Sequence, residues 1–330
     1  MTAVVTPLQS DGARLGPVRS GRRKLTFDKV SFMAVFLGVP LVIYVIFVVS
    51  PFVQACYYAM TDWSGFSETQ NFVGLANFGD ILQDDIFLKA LRNNIILALV
   101  LPVVTLTLSF ALANLVTVSG TSRGQTRGLK GSDFYRTVSF FPYVIPAIVI
   151  GIMWSQIYDP SNGLVNGILT AIGIDSAASF PWLGDERTAM LATIFVIVWS
   201  MVGFYMVLFV AAIKGIPAEL YEAARIDGAG RLRTALRITL PLVRDNVQTA
   251  WIYLGILALD AFVYMAALNP GGGPDNSTLV MSQQLLTTAF RKGQFGLACA
   301  MGVVLAAVTL LFSALVFVVS RLLGGKDDIR

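Results

Sequence analysis

The sequence predicts an all-α, polytopic membrane protein with six transmembrane helices, and three observations point to it. Charged residues are 13% of the 330-residue chain and apolar ones 55%, whereas an ordinary soluble domain is about 25% charged. The charges cluster, leaving uncharged stretches at 30–61, 93–122, 137–158, 188–213 and 293–320, with a sixth at 246–274 interrupted only by Asp260. About 20 apolar residues span a bilayer as a helix, so each stretch is long enough for one crossing. Third, lysine and arginine alternate between rich and poor segments. Buried helices of a large soluble protein do not account for this pattern, because no amphipathic elements would remain to cover six of them.

Residues 1–29 are rich in Gly, Ser and Pro and have the composition of a disordered tail. The first helix is expected at 30–52. It follows Arg22, Arg23 and Lys24 in the manner of a signal peptide. It is too long for a cleavable apolar region and no small-x-small site follows, so it reads as an uncleaved anchor. The outer loop at 53–92 contains a segment, 77–91, whose Phe78, Ile81, Leu82 and Ile86 are spaced for an amphipathic surface helix. The other helices are placed at 93–116, 137–158, 189–213, 246–268 and 297–320, with outer loops at 159–188 and 269–296. In domain terms this gives a tail (1–29), a first span with its outer loop (30–92), a five-helix core (93–320) and a second tail (321–330).

Orientation follows from the basic residues. With a cytoplasmic N-terminus, the inner segments 1–29, 117–136, 214–245 and 321–330 hold six, four, six and three Lys or Arg, nineteen in all, against five outside. An excess of basic residues marks the cytoplasmic side, so both termini are placed there. The net charge of +4 follows from this bias and is no argument for nucleic acid. The chain has no histidine, which excludes His-based triads, metal sites and proton relays. Cys56 and Cys299 fall near the outer ends of helices, either as a disulfide pair or as small apolar side chains.

The long inner loop at 214–245 differs from everything else. Pro217 suits the first turn of a helix, where Glu219 and Glu222 complement its positive end. Ile216, Leu220, Ala223 and Ala224 form one apolar stripe at helical spacing. Gly228 and Gly230 permit a turn. A second helix carries Leu232, Ala235, Leu236, Thr239 and Leu240, and Pro241 is expected to end it. By pattern alone this is an amphipathic elbow resting on a membrane surface.

The particular residues say more. Glu222-Ala223-Ala224, then Ile226-Asp227-Gly228-Ala229, then Ile238-Thr239-Leu240-Pro241 resemble the EAA loop of ABC-importer permeases in order and spacing. The resemblance implies the type I importer permease fold, and a loop whose helices sit in a cleft of a separate ATP-hydrolysing subunit. On it, Glu222 makes a polar contact with the ATPase, Gly228 permits the bend, and Leu240 and Pro241 fix the loop to the fifth helix. Ala235 stands where the family commonly has an aromatic residue, and Asp245 where it has proline. The segments PFVQACYYAMTDW (51–63), FVGLANF (72–78), FPYVIPAIVIGIMWSQIYDPSNGLVN (141–166), GGGP (271–274) and TTAF (287–290) resemble the carbohydrate branch of these permeases. No G-x-x-x-x-G-K-[ST] phosphate loop occurs in the sequence. The resemblance thus implies a subunit that is not itself an enzyme and needs no cofactor. It would lie in a bacterial cell membrane with a second homologous permease, an ATPase dimer and an extracellular solute-binding protein. The look of the last outer loop leans the cargo weakly towards N-acetylglucosamine or chitobiose, with plant-derived disaccharides equally open.

A sugar needs hydrogen-bonding groups and flat aromatic faces. Asp260 is the one ionisable residue placed well inside a span, where a carboxylate costs about 2.5–3.5 kcal/mol. On a continuous helix Tyr253, Asp260 and Tyr264 share a stripe, facing either a water-filled path or the other permease. Tyr143 and Trp154 share a face of the third helix, which Pro142 and Pro146 can bend. Asn269 and Gln156 are further polar candidates. The rival readings are an ion-coupled secondary transporter, which needs intramembrane ionisable groups, and a membrane enzyme, for which no catalytic pair is evident.

Overall fold

A computed structural model describes residues 31–117 and 131–323. The expected tail at 1–29, most of the inner segment 117–136 and the end of the C-terminal segment lie outside the described residues. In chain order the helices are α1 (Ser31–Tyr58), α2 (Ala76–Gln83), α3 (Asp85–Thr117), α4 (Ser132–Val144), α5 (Ala147–Ile157), α6 (Leu164–Ala171), α7 (Ala189–Lys214), α8 (Ala218–Ile226), α9 (231–242), α10 (Arg244–Leu259), α11 (Phe262–Leu268), α12 (281–291) and α13 (Phe295–Leu323). Among the described residues no strand forms; Thr61 and Phe72 make one isolated bridge.

Four of these helices, α1, α3, α7 and α13, are each long and apolar enough to cross a membrane, and two bent pairs, α4–α5 and α10–α11, bring the number to six when each counts as one span. The described residues up to Val53 form one compact unit and those from Gln54 onward another. Up to Val53, α1 is almost wholly apolar and exposed along its length, as suits a helix with no aqueous face.

The second unit is built around α7, which buries Val196, Ile197, Met206, Phe209 and Ile213 against Leu97 and Leu101 of α3, Ile150 of α5, Leu254 of α10 and Met265 of α11. Lipid tails are as apolar as leucine, so helices in a bilayer are held by close packing and interhelical hydrogen bonds. Both occur here. Gly203 lies against the Ser139 carbonyl, Gly151 against Ala267 and Gly255 against the Phe312 ring, each so closely that a Cβ would overlap its neighbour. Ser109 Oγ donates to the Val202 carbonyl at 2.8 Å, tying α3 to α7. Cys56 and Cys299 are unbridged and half-buried.

The structure departs from the expected elements at three places. The segment 77–91 is not one surface helix. Asp84 stops α2 and caps α3, its Oδ1 accepting from the Ile86 and Phe87 amides at 2.8 and 3.3 Å, the usual work of an N-cap aspartate. The second span therefore starts at Asp85 rather than 93. The third span bends by 96° between α4 and α5. Ile145 there is extended (φ −76°, ψ 132°), as expected of a residue preceding proline, and Pro146 starts the next helix. The fifth span breaks by 47° at Asp260 and Ala261.

Candidate functional site

The 214–245 loop is the link between the fourth and fifth spans. Pro217 (φ −54°, ψ 132°) precedes α8. The helix ends in a Schellman motif: the Gly228 amide donates to the Arg225 carbonyl at 3.0 Å and the Ala229 amide to the Ala224 carbonyl at 2.8 Å. Gly228 sits in the left-handed region at φ +71°, in open space, so glycine is required for conformation and not for room. Gly230 is extended (φ −69°, ψ 165°) and needs no glycine.

The second helix does not end at Pro241. The chain stays helical to Leu242 and turns at Val243 (φ −101°, ψ 14°). Proline lacks an amide hydrogen and its ring crowds the carbonyl four residues back. The π-type turn at Ala235–Thr239 widens the helix just ahead of that crowding.

The two faces of the loop also differ from the expected stripe. Ile216, Tyr221, Ala224, Thr239 and Val243 are buried towards the bundle, and the Tyr221 and Thr239 hydroxyls meet at 3.1 Å, clasping α8 to α9. Burial pushes the Tyr221 phenol up from its ordinary pKa. Leu220 and Ala223 do not share that face; they are exposed. Leu220, Ile226, Leu232, Leu236 and Leu242 are 42, 86, 73, 51 and 53% exposed, so the loop exposes five large apolar side chains. Of the residues picked out by the motif, Ala223, Asp227, Gly228 and Pro241 are exposed, Glu222, Ile238 and Leu240 are half-buried, and Ala224 is buried. Tyr221 was missed, although it stands three residues before Ala224 on one helical face.

In the fifth span, Tyr253, Asp260 and Tyr264 do not form one stripe. The break at Asp260 (φ −112°, ψ 43°) rotates α11 relative to α10, so Tyr253 and Asp260 are exposed while Tyr264 is buried. A short polar side chain competes with the helical backbone and favours such a break. Among the described residues Asp260 has no ion-pair partner. The carbonyl freed at Leu259 accepts from Asn94 Nδ2 at 2.7 Å. Asn94 Oδ1 in turn accepts from the Met281 amide at 2.7 Å. One fully buried side chain thus joins the second span, the break in the fifth and the start of α12. Asn93 holds the same loop through the Leu279 carbonyl at 2.8 Å, Asn269 Nδ2 reaches Thr193 Oγ1 at 2.8 Å, and at the surface Lys89 pairs with Asp275 at 2.6 Å. The sequence signal for Asn93 and Asn94 was adjacent amides at the start of an uncharged span.

Tyr143 and Trp154 fall on opposite sides of the 96° bend and share no face. Both return to α7 instead. Tyr143 stacks on Phe204 with ring centroids 4.5 Å apart, and Trp154 lies edge-on to Phe195 and Trp199, each at 5.4 Å. Tyr264 completes the set through Ser200 Oγ at 2.9 Å. Gln156 is exposed and Asn269 buried. The arrangement offers an exposed phenol and carboxylate on the fifth span, with an aromatic wall along the fourth. Among the described residues no cluster of His, Cys, Asp or Glu has the make-up of a metal site.

Comparison with known proteins agrees with this architecture. A family model described as a binding-protein-dependent transport system inner membrane component matches residues 117–326. The chain is 63% identical over 309 residues to the diacetylchitobiose uptake system permease protein NgcF of Streptomyces coelicolor, covering 94% of this chain and 88% of that one. It is 36% identical to the probable ABC transporter permease protein YurN of Bacillus subtilis, covering 83% and 91%. A crystal structure of a bacterial ABC transporter importing the polysaccharide alginate shares the fold, with TM-score 0.75 at 22% identity, covering 89% of this chain and 96% of that one. On the extent of the family match and the identity to these permeases, the chain belongs to the binding-protein-dependent transport system inner membrane components, the permease subunits of ABC importers.

Proposed function

We propose that the chain is one of two permeases lining the membrane path of a bacterial importer for a small amino-sugar oligosaccharide, with diacetylchitobiose as its cargo. The observation that carries the cargo is the 63% identity to the Streptomyces permease named for that sugar. A solute-binding protein delivers the sugar from outside, and an ATPase dimer docks on the 214–245 loop from the cytoplasm. Five exposed large apolar side chains on a loop rich in basic residues support docking to a protein with an apolar cleft and acidic rim. The basic-residue bias supports cytoplasmic termini. An ion-coupled carrier has no support in the family, and a single carboxylate in the spans is a thin basis for ion coupling.

In this reading ATP-driven closure moves α8 and α9 as one piece, because the Tyr221–Thr239 contact joins them. The movement passes through Lys214 to the fourth span and through Val243 to the fifth. Glu222 and Asp227 make polar contacts with the ATPase, Ala223 allows close approach, and Ala224, Gly228, Ile238, Leu240 and Pro241 hold the shape. Tyr253 and Asp260 line the path towards the second permease. Tyr264, Tyr143 and Trp154 form the wall behind them.

The test is uptake of labelled diacetylchitobiose by cells lacking this chain, compared with an unrelated disaccharide. Loss of the first alone, restored by the wild-type gene but not by Glu222→Ala, is the expected result. Undiminished diacetylchitobiose uptake in the deletion strain would refute the cargo. Full restoration by Glu222→Ala would refute the coupling role.

A further inference from the structure

A groove between the fifth and sixth spans has the layout of an amphiphile. It encloses about 380 Å³ and runs from Trp251 and Phe312 at mid-span to Arg244 and Ser320 at the inner end, with Leu315 and Val316 along its wall. Seven or eight helical residues at 1.5 Å each give it a length of roughly 11 Å, within one ~15 Å leaflet. Its polar groups gather at one end. Arg244 Nη2 donates to Ser320 Oγ at 3.4 Å, and Ser320 Oγ donates to Gln248 Oε1. Arg321 follows Ser320 in the chain, its guanidinium 4.4 Å from the Phe317 ring centre. Neither arginine has a carboxylate partner among the described residues. Arg244 is half-buried and opens a 16-residue helix, whose N-terminal dipole adds positive potential.

We infer that this groove binds an anionic phospholipid of the inner leaflet, its phosphate held by Arg244 and Ser320 and one acyl chain lying along Trp251, Phe312, Leu315 and Val316. A half-buried guanidinium whose hydrogen-bond partner among the described residues is a hydroxyl favours an anion, and basic pockets between spans on the cytoplasmic side take acidic headgroups. The site also lies one residue beyond the Val243 turn, where the loop joins the fifth span. A bound headgroup therefore clamps the start of α10 to the end of α13.

The inference takes the loop's cytoplasmic placement from the proposed function. An Asp227→Cys variant labelled only from outside the cell would overturn that placement, and lipid retention is read separately. The experiment is native mass spectrometry of the assembled transporter from nanodiscs of phosphatidylglycerol mixed with phosphatidylcholine. Wild type should retain phosphatidylglycerol selectively. Arg244→Gln should lower that retention tenfold or more, and Arg244→Lys should recover part of it. Val316→Trp, which fills the groove with the arginine intact, should also lower it and carries the test if Arg244→Gln fails to assemble. Equal retention of the two lipids by wild type, undiminished retention in Arg244→Gln or Val316→Trp, or a photo-crosslinker at Leu315 capturing polypeptide instead of lipid would overturn the inference.

Discussion

Replacing Gly228 with alanine isolates one physical term. The residue holds φ +71° at the end of α8, and a Cβ there meets nothing within 4 Å. The substitution therefore adds no clash and removes no contact. What remains is the cost of placing an L-residue in the left-handed region, about 1–2 kcal/mol. At 1.4 kcal/mol per tenfold, the population with α8 and α9 correctly angled falls by about 5- to 30-fold relative to its alternatives. Gly230, also in open space but extended, provides the control: Gly230→Ala should be near neutral. Gly228→Asn should fall between, since asparagine tolerates the left-handed region better than alanine. The assay is sugar-stimulated ATP hydrolysis by the reconstituted transporter, with recovery of the ATPase subunit on the purified permease as a second readout. A Gly228→Ala transporter matching wild type in both would refute the reasoning, as would a Gly230→Ala transporter damaged equally.

Three further substitutions test the packing. Gly203→Ala drives a Cβ into the Ser139 backbone carbonyl, which cannot rotate away, so α4 and α7 must part at a cost of about 1–3 kcal/mol; thermal unfolding in detergent should shift down, while Gly167→Ala, in open space, should not move it. Asn94→Leu keeps the volume but strands the Leu259 carbonyl and Met281 amide, costing about 1–3 kcal/mol for each buried group; an unchanged melting temperature would count against Asn94 as a pin. Tyr221→Phe loses the hydroxyl contact to Thr239, about 0.5–1.5 kcal/mol, which faster proteolysis of the loop should report. Because burial raises the folded-state pKa of Tyr221, the neutral phenol is favoured in the folded loop. That stability is fully present below the ordinary tyrosine pKa of about 10 and is lost as pH rises beyond it, so loop protection measured between pH 7 and 9 should be flat.

The spans were legible because the bilayer imposes a rule on composition: a stretch without charge and long enough to cross leaves few alternatives. The breaks were less so. Pro146 announced the bend in the third span but not its size, since the angle depends on α5 meeting Ala267 through Gly151. Asp260 read as a costly substituent on a continuous helix, whereas it stands where the helix stops. That reversal depends on Asn94, 165 residues away in sequence, and a linear pattern carries no trace of such a partner. The loop's turn was legible at Gly228, yet which side of α8 faces the bundle was decided by Tyr221 finding Thr239.

Under the proposed coupling, the loop and the break at Asp260 would act as a lever. The first part of the fifth span, α10, is continuous with the loop through a single non-helical residue, Val243. Its other end stops at Asp260, so α10 can tilt without carrying α11 with it. α11 is anchored separately, through Tyr264 to Ser200 and through Met265 in the core beside α7. A continuous fifth helix would transmit a push at its loop end as a rigid-body shift of the segment after α11 as well. With the helix broken and its freed carbonyl held by Asn94, the proposed coupling would end its push at the level of the exposed Asp260.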